Sequence, residues 1–314
     1  MASRFSIFAM LAVGTGLLSL SSAVAGPSNE KPVDASLIAD TQALAEGQEL
    51  WLGVHVKLAP GWHIYWQYPG ESGFATKIDW EAQNLVTSSP QTLFPVPETF
   101  QGAGGVVSYG YAGETLLLAH IPRIHLLPGA REVTVRANTR WLVCREDECR
   151  DARQTLELKL PVGVPSPANA ELFQRYRKLL PLSSPPANVK VNAATTGEEA
   201  EVSLQVSLPP GTMGIVAAPA PPPYRALELF PLPPRGVTVT IPKTVGRVEE
   251  RKVKGATIAV HPEGATISFS MKRVNRTTTG PVTMEGVLVQ QWLRSDGSIG
   301  EPQINTLPFE VSGL

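Results

Sequence analysis

Short runs in which apolar and other residues alternate recur along most of the chain. In residues 49–58 every second position, from Leu50 to Leu58, is apolar. A period of two places successive side chains on opposite faces of a strand, so this run predicts a half-buried β-strand. Similar short runs predict strands at residues 77–80, 92–94 and 115–121, and in the second half at 188–193, 201–208, 226–230, 236–241, 265–271, 282–290 and 307–311.

The stretch 131–160 predicts a β-hairpin that holds both cysteines of the chain. Apolar residues recur at period two on both sides of a charged centre, at positions 133, 135, 137 and 141 and again at 156, 158 and 160. The charged centre contains Cys144 and Cys149. Two strands therefore bring two thiols to one short connection.

Two further segments stand out by composition. Residues 60–73, PGWHIYWQYPGESG, hold four aromatic rings within seven residues. Core packing in a β-sandwich is the favoured explanation, and a stacking platform for a ligand or partner is the alternative. Residues 102–113 are rich in glycine but lack the Lys-Ser/Thr pair and the following helix of a phosphate-binding loop, so we expect a flexible or unusually shaped loop.

One segment has the period of an amphipathic helix. Within residues 168–180 the apolar positions 172, 173, 176, 179 and 180 share one face, and Pro181 ends the pattern. We expect this helix to be a packing connector within a linker, residues 163–187. The linker would separate a first β-sandwich domain, residues 30–162, from a second one, residues 188–314.

The first 25 residues have the features of a secretory signal peptide. Arg4 precedes an apolar run, and the small residues Ala23 and Ala25 form a cleavage site before Gly26. No later window approaches the roughly 20 apolar residues of a membrane span, so no transmembrane segment is expected in the mature chain. Export would place the cysteines where disulfides persist.

The composition agrees with an all-β protein, and the net charge bears on which classes of partner are expected. Charged residues make up 18% of the chain against a typical ~25%, while Pro (29) and Gly (27) are abundant, which favours turn-rich β domains. A net charge of −1 gives no reason to expect nucleic acid or an anionic membrane surface as a partner.

The spacing of the cysteines indicates their chemistry. Cys144 and Cys149 lie five positions apart, and a bridge between them would contribute roughly 2 kcal/mol by chain entropy. A bridge that serves stability would join distant segments. A local bridge beside solvent is instead suited to opening by thiolate attack, so a redox-active pair is favoured over an inert bridge that stiffens the hairpin.

Metal binding fits the sequence less well. The five histidines do not fall into zinc-ligand spacing with the cysteines, and the five methionines do not cluster near them as a copper(I) site would favour. Four arginines and four acidic residues surround the thiols. Their opposite effects on the thiol pKa predict a near-ordinary thiol pair, suited to passing electrons on as a reductant.

Three motifs give the chain a family resemblance. PGWHIYWQYPGESGFATKIDW, SYGYAGETLLL and WLVCREDEC, in this order, resemble the periplasmic amino-terminal domain of the thiol:disulfide interchange protein DsbD. The chain is also similar to the two-domain periplasmic portion of the suppressor-of-copper-sensitivity protein ScsB, including its connector helix and second β domain.

The resemblance implies immunoglobulin-like sandwiches in the periplasm and a catalytic pair, Cys144 and Cys149. The pair would take electrons from a membrane-embedded donor and reduce thioredoxin-like periplasmic oxidoreductases through a mixed disulfide, with no cofactor and no metal. By analogy Cys144 would bond to the client, although the sequence does not fix the order of attack. Residues 102–111 would be a cap loop that shields the pair.

Two departures from the family pattern matter. Full-length relatives continue into a membrane domain and a thioredoxin-like domain, which this sequence lacks, so a separate membrane electron donor is expected. The charged Arg-Glu-Asp-Glu insert between the cysteines would line any docking surface. Two rival functions stay open: an exported, non-enzymatic binding module with a structural disulfide, and a copper(I)-handling protein.

Overall fold

The fold was analysed in a computed structural model of the chain. It describes residues 31–86, 89–146, 148–274 and 280–314, so the expected signal peptide, residues 1–25, lies outside the described residues. Residues from Pro32 to Leu314 form one compact unit. Among the helices of the described ranges, none combines the length and the apolar character that crossing a membrane requires.

The described chain is almost entirely β-structure, as the alternating pattern predicts. One α-helix, α1 (Ala170–Arg177), and a short 3-10 turn, Ala103–Gly105, interrupt the strands. The strands of the first half are β1 Val33–Ala39, β2 Leu50–Leu58, β3 His63–Gly70, β4 Lys77–Gln83, β5 Thr92–Leu93, β6 Glu98–Gln101, β7 Val107–Ala112, β8 Glu114–Ile121, β9 Glu132–Arg145 and β10 Glu148–Pro161. Those of the second half are β11 Val189–Thr196, β12 Glu199–Val206, β13 Thr212–Val216, β14 Glu228–Leu232, β15 Val237–Val239, β16 Lys243–Val245, β17 Glu249–Val253, β18 Ala256–His261, β19 Ala265–Arg273, β20 Val282–Gln290, β21 Trp292–Arg294 and β22 Gln303–Val311.

The first half is a sandwich of two antiparallel sheets. One sheet has the order β1-β2-β8-β5, and the other has the order β10-β9-β3-β7-β6, with β4 also pairing with β9. Buried residues from both sheets, such as Leu52, Leu117 and Trp141, meet in one core. Because each strand alternates in side-chain direction, one face of each sheet fills this core and the other faces outward.

The second half contains three smaller antiparallel sheets and its own core. Their orders are β11-β12-β19-β15 with β16 also on β19, β17-β18-β13-β21, and β14-β20-β22. Phe269 and Met271 of β19 are buried in the second core with Leu288 of β20. The all-β, immunoglobulin-like fold with one helical connector is therefore confirmed. Helix α1 packs Phe173 and Tyr176 against Trp51 of the first sandwich.

Two segments differ from the expectations drawn from the sequence. Residues 33–39 form an edge strand, β1, which was not among the expected strands, and residues 107–112 form the buried strand β7 in place of a loop. Gly110 explains the second difference, because a Cβ there would lie 2.0 Å from the carbonyl oxygen of Ile64 on β3. The glycine permits close pairing of β7 with β3, whereas in a sequence pattern it weakens a predicted strand.

The two halves share packed side chains. Phe230 of β14 is fully buried and belongs to the core of the first sandwich, together with Val287, Val289 and Ile304. Its ring meets Trp66 edge-on at 6.0 Å between ring centroids. The boundary between a domain ending at residue 162 and one beginning at 188 stays a prediction, since residues from both sides of it fill one core.

Candidate functional site

The two cysteines meet at the end of the longest hairpin. Strands β9 and β10 pair along their whole length, and the register places Cys149 directly opposite Cys144. The sulfur atoms are bonded at 2.04 Å, with 4.1 Å between the Cα atoms. Glu146, which follows β9, takes a positive φ of 44°, a conformation that tight β-hairpin turns use.

The disulfide lies on the outward face of its sheet. Along β9 the odd-numbered positions from 133 to 143 are buried in the core, so Cys144 belongs to the opposite face. Cys144 is nevertheless only 2% exposed, whereas Cys149 on the edge strand β10 is exposed. The bond therefore joins a cysteine that the protein covers to one that is exposed to solvent.

Aromatic rings lie beside the covered cysteine. His63 of β3 is the register partner of Cys144, so the two side chains share the outward face. The ring of Phe100 stacks on the His63 ring at 4.8 Å between centroids, with an interplanar angle of 19°. The ring of Tyr65 meets His63 edge-on at 5.2 Å. We call His63 and Phe100 the shield, because His63 lies beside Cys144 on the outward face and Phe100 stacks on His63.

On the core side, the end of the hairpin is closed by arginines. The guanidinium carbons of Arg145 and Arg150 lie 4.8 and 5.0 Å from the ring centroid of the buried Trp62. Glu148 accepts hydrogen bonds from both, at 3.4 Å from Arg145 and 2.7 Å from Arg150. Strand alternation places Arg145 on the opposite face of β9 from Cys144. These cations therefore pack the hairpin end instead of pointing at the outward face.

Two further arginines near the end of the hairpin are paired with one carboxylate. Arg140 and Arg153 both lie within 3.5 Å of a carboxylate oxygen of Asp151. Burial lowers the pKa of His63, so its imidazole is neutral at neutral pH and adds no positive charge beside Cys144. The near-ordinary thiol pair expected from the sequence stays a prediction, since the two cysteines are bonded to each other and do not titrate in this state.

The structure tests the other candidate residues. Trp62, Ile64 and Trp66 are buried in the first core, which favours the packing interpretation of the aromatic strand over a ligand platform. Within residues 102–111, expected to form a cap loop, the exposed part is limited to residues 102–106, since β7 follows. Among the described residues no group of three or more histidine, cysteine or acidic side chains has the arrangement of a metal site.

Sequence reasoning missed the shield. Phe100 lies on β6, a four-residue strand between a proline-rich and a glycine-rich segment, and no periodic pattern marks it. His63 was noted only as part of the aromatic stretch. The one available signal was a lone large aromatic residue between two turn-forming segments, which by itself does not indicate a neighbour.

These features define a class of protein. It is an all-β protein of immunoglobulin-like sandwiches with a bonded cysteine pair at a sheet edge, in which one of the two cysteines is exposed. Residues 34–163 match the family described as "Thiol:disulfide interchange protein DsbD, N-terminal". The first sandwich thus matches the DsbD amino-terminal family, and this match supports a thiol:disulfide interchange module. The resemblance noted from the sequence is confirmed.

Comparison with solved structures supports the fold. The N-terminal periplasmic domain of ScsB from Proteus mirabilis matches with a TM-score of 0.55 at 17% identity, over 91% of this chain and 95% of that one. The collagen adhesin CNA from S. aureus covers 90% of this chain and 94% of its own at 8% identity, but its TM-score of 0.22 supports no conclusion. No curated protein matches the chain.

Proposed function

We propose that this protein is a periplasmic thiol:disulfide exchange protein that passes electrons through Cys144 and Cys149 to thioredoxin-like oxidoreductases. The observation that carries the proposal is the difference in burial between two bonded cysteines, on a domain that matches the DsbD amino-terminal family. A disulfide is opened by in-line attack on a sulfur, which requires access to it. Cys149 provides that access.

The reaction proceeds through two exchanges. A thiolate of a dithiol donor attacks the Sγ of Cys149, the S–S bond breaks, and Cys144 leaves as a thiolate that takes up a proton. The second thiol of the donor then attacks the mixed disulfide, so the donor leaves oxidised and this protein is reduced. No further cofactor enters this balance.

Electrons pass from the reduced protein to the client by the same two kinds of exchange in reverse order. The Cys149 thiolate attacks the client disulfide and forms a mixed disulfide, with one client sulfur as leaving group. The Cys144 thiolate then attacks the Sγ of Cys149, which restores the internal bond and releases the reduced client. This order assigns the client contact to Cys149, the reverse of the order suggested by analogy, because Cys144 is covered.

Reciprocal serine variants test the proposal. With a thioredoxin-like periplasmic oxidoreductase as client, Cys144→Ser keeps the accessible thiol and lacks the resolving one, so a mixed disulfide should accumulate. Cys149→Ser keeps only the covered thiol and should trap at least about tenfold less complex, since access limits attack. Non-reducing electrophoresis with mass spectrometry measures both.

The same experiment distinguishes the rival functions. A structural disulfide in a binding module predicts that neither variant forms a mixed disulfide, while non-covalent binding persists. Equal trapping by both variants would contradict the assignment of Cys149. The reduction potential provides a second measure, since a value below about −300 mV is typical of an inert structural bridge.

A further inference from the structure

The strand that carries Phe100 is held from two directions. On β6, Phe100 pairs with Ser108 and Thr99 pairs with Tyr109 of β7. Because neighbouring residues on a strand point to opposite faces, Phe100 faces outward toward His63 while Thr99 faces the other way. A contact made by Thr99 therefore fixes the position of Phe100 without touching the disulfide.

The contact on the other face comes from the second half of the chain. The Thr99 hydroxyl donates a hydrogen bond to the Glu228 carboxylate at the start of β14. The Arg225 guanidinium donates to the carbonyl oxygen of Pro97, at 3.0 Å, just before β6. The backbone N–H of Arg225 in turn donates to Gln291 at 2.7 Å, which ties this segment to the second half.

An apolar contact lies beside these polar ones. Phe230, two residues after Glu228, meets the ring of Tyr109 edge-on at 5.2 Å between centroids. Tyr109 is the register partner of Thr99, so the same point of β6 and β7 is held by a hydrogen bond and by an aromatic pair. Glu228 is half-buried, and this partial removal from water strengthens its hydrogen bond relative to one in bulk water.

We propose that Glu228 and Arg225 are positioning residues that keep Phe100 over the outward face next to Cys144, so that the second half of the chain sets the exposure of the resolving cysteine. This proposal deepens the proposed function and rests on it for its biological meaning. Keeping Cys144 covered limits its reaction with thiols and oxidants other than the bonded client, while Cys149 stays available.

Alkylation of the reduced full-length protein measures the exposure of each cysteine separately. A thiolate displaces iodide from iodoacetamide, so the rate follows the access to each sulfur. Trypsin cuts after Arg140, Arg145 and Arg150, which places Cys144 in the peptide WLVCR and Cys149 in EDECR. Mass spectrometry of the two peptides then gives two rates from one sample, with Cys149 as the internal reference.

In the wild type, Cys144 should react more slowly than Cys149. Glu228→Leu and Thr99→Val each remove one side of the hydrogen bond and should raise the Cys144 rate about tenfold, which corresponds to 1.4 kcal/mol. The Cys149 rate should stay the same. Glu228→Gln keeps an acceptor oxygen and should stay within about twofold of the wild type. Phe100→Ala removes the shield itself and should raise the Cys144 rate at least as much.

Two controls separate positioning from loss of structure. Met271→Ala creates a cavity in the second core, away from the contact, and should leave the ratio of the two rates unchanged. In Phe100→Ala/Glu228→Leu the second change should add nothing, because the residue that Glu228 positions is absent.

Several results would overturn the proposal. The first is equal alkylation rates for the two cysteines in the wild type. The second is a Cys144 rate that Phe100→Ala leaves unchanged, or that Phe100→Ala raises while Glu228→Leu does not. The third is a change of the rate ratio by Met271→Ala as large as that by Glu228→Leu. Failure of the proposed function is distinguishable, since it would leave this alkylation pattern intact while Cys144→Ser fails to trap any client.

Discussion

Replacing Phe230 with alanine removes the largest buried side chain that the second half contributes to the core of the first. The ring is 0% exposed and is in contact with Trp66 and Tyr109. Phe→Ala changes at such sites cost about 3–5 kcal/mol, from lost apolar burial and the cavity left behind. Because two aromatic pairs are also lost, we expect about 4 kcal/mol.

Urea unfolding followed by circular dichroism measures this loss. A loss of about 4 kcal/mol is a large fraction of the 5–15 kcal/mol that stabilises a typical domain, so the midpoint should fall clearly. Phe74→Ala is the matched control, because Phe74 is 72% exposed and surface changes usually stay within about 0.5 kcal/mol.

The result also bears on how the chain is divided. Phe230 lies in the first core but belongs to a strand of the second half. The variant should therefore lower the free energy of unfolding of both halves. A loss below about 1 kcal/mol would refute the inferred packing. If the two halves unfold in separate transitions and Phe230→Ala shifts neither midpoint, the halves are stable independently of this contact.

Two further predictions concern backbone packing and pH. Gly110→Ala should destabilise the protein by about 3 kcal/mol or more, because the new Cβ would lie 2.0 Å from the Ile64 oxygen, whereas Gly163→Ala, with open space around it, should be nearly neutral in the same urea assay. Burial raises the pKa of the Glu228 carboxyl above its usual 4.5, so the stability it contributes is present below pH 4.5 and is lost as the pH rises through the raised value. The free energy of unfolding of Glu228→Gln relative to wild type should therefore be higher at pH 7 than at pH 4, and a difference independent of pH would contradict this assignment.

Much of the fold follows from local patterns in the sequence. Alternation over residues 49–58 predicted strand β2, and the two alternating runs around the cysteines predicted the hairpin of β9 and β10. Such patterns predict strands because one face of each strand is buried and the other is not, so apolar and polar residues alternate along the sequence. The two cysteines could also be paired from the sequence, since they lie at the end of one hairpin.

Strand β7 and the shield escaped this reasoning because neither depends on local pattern. Gly110 weakens the strand signal, and only its neighbour across the sheet, Ile64, shows why a glycine is needed there. Phe100 and His63 are separated by a long stretch of chain, and it is the pairing of β6 with β7 and of β7 with β3 that brings their rings together.

The sequence by itself determined that this is an all-β protein with two neighbouring thiols, because strand periodicity and short-range spacing are local properties. Only the tertiary structure decided which sulfur is accessible. Cys144 and Cys149 lie on the same outward face, yet one is covered and the other is not. That difference depends on sheet order, which pairs Cys144 on the inner strand β9 with His63 of β3 and leaves Cys149 on the edge strand β10.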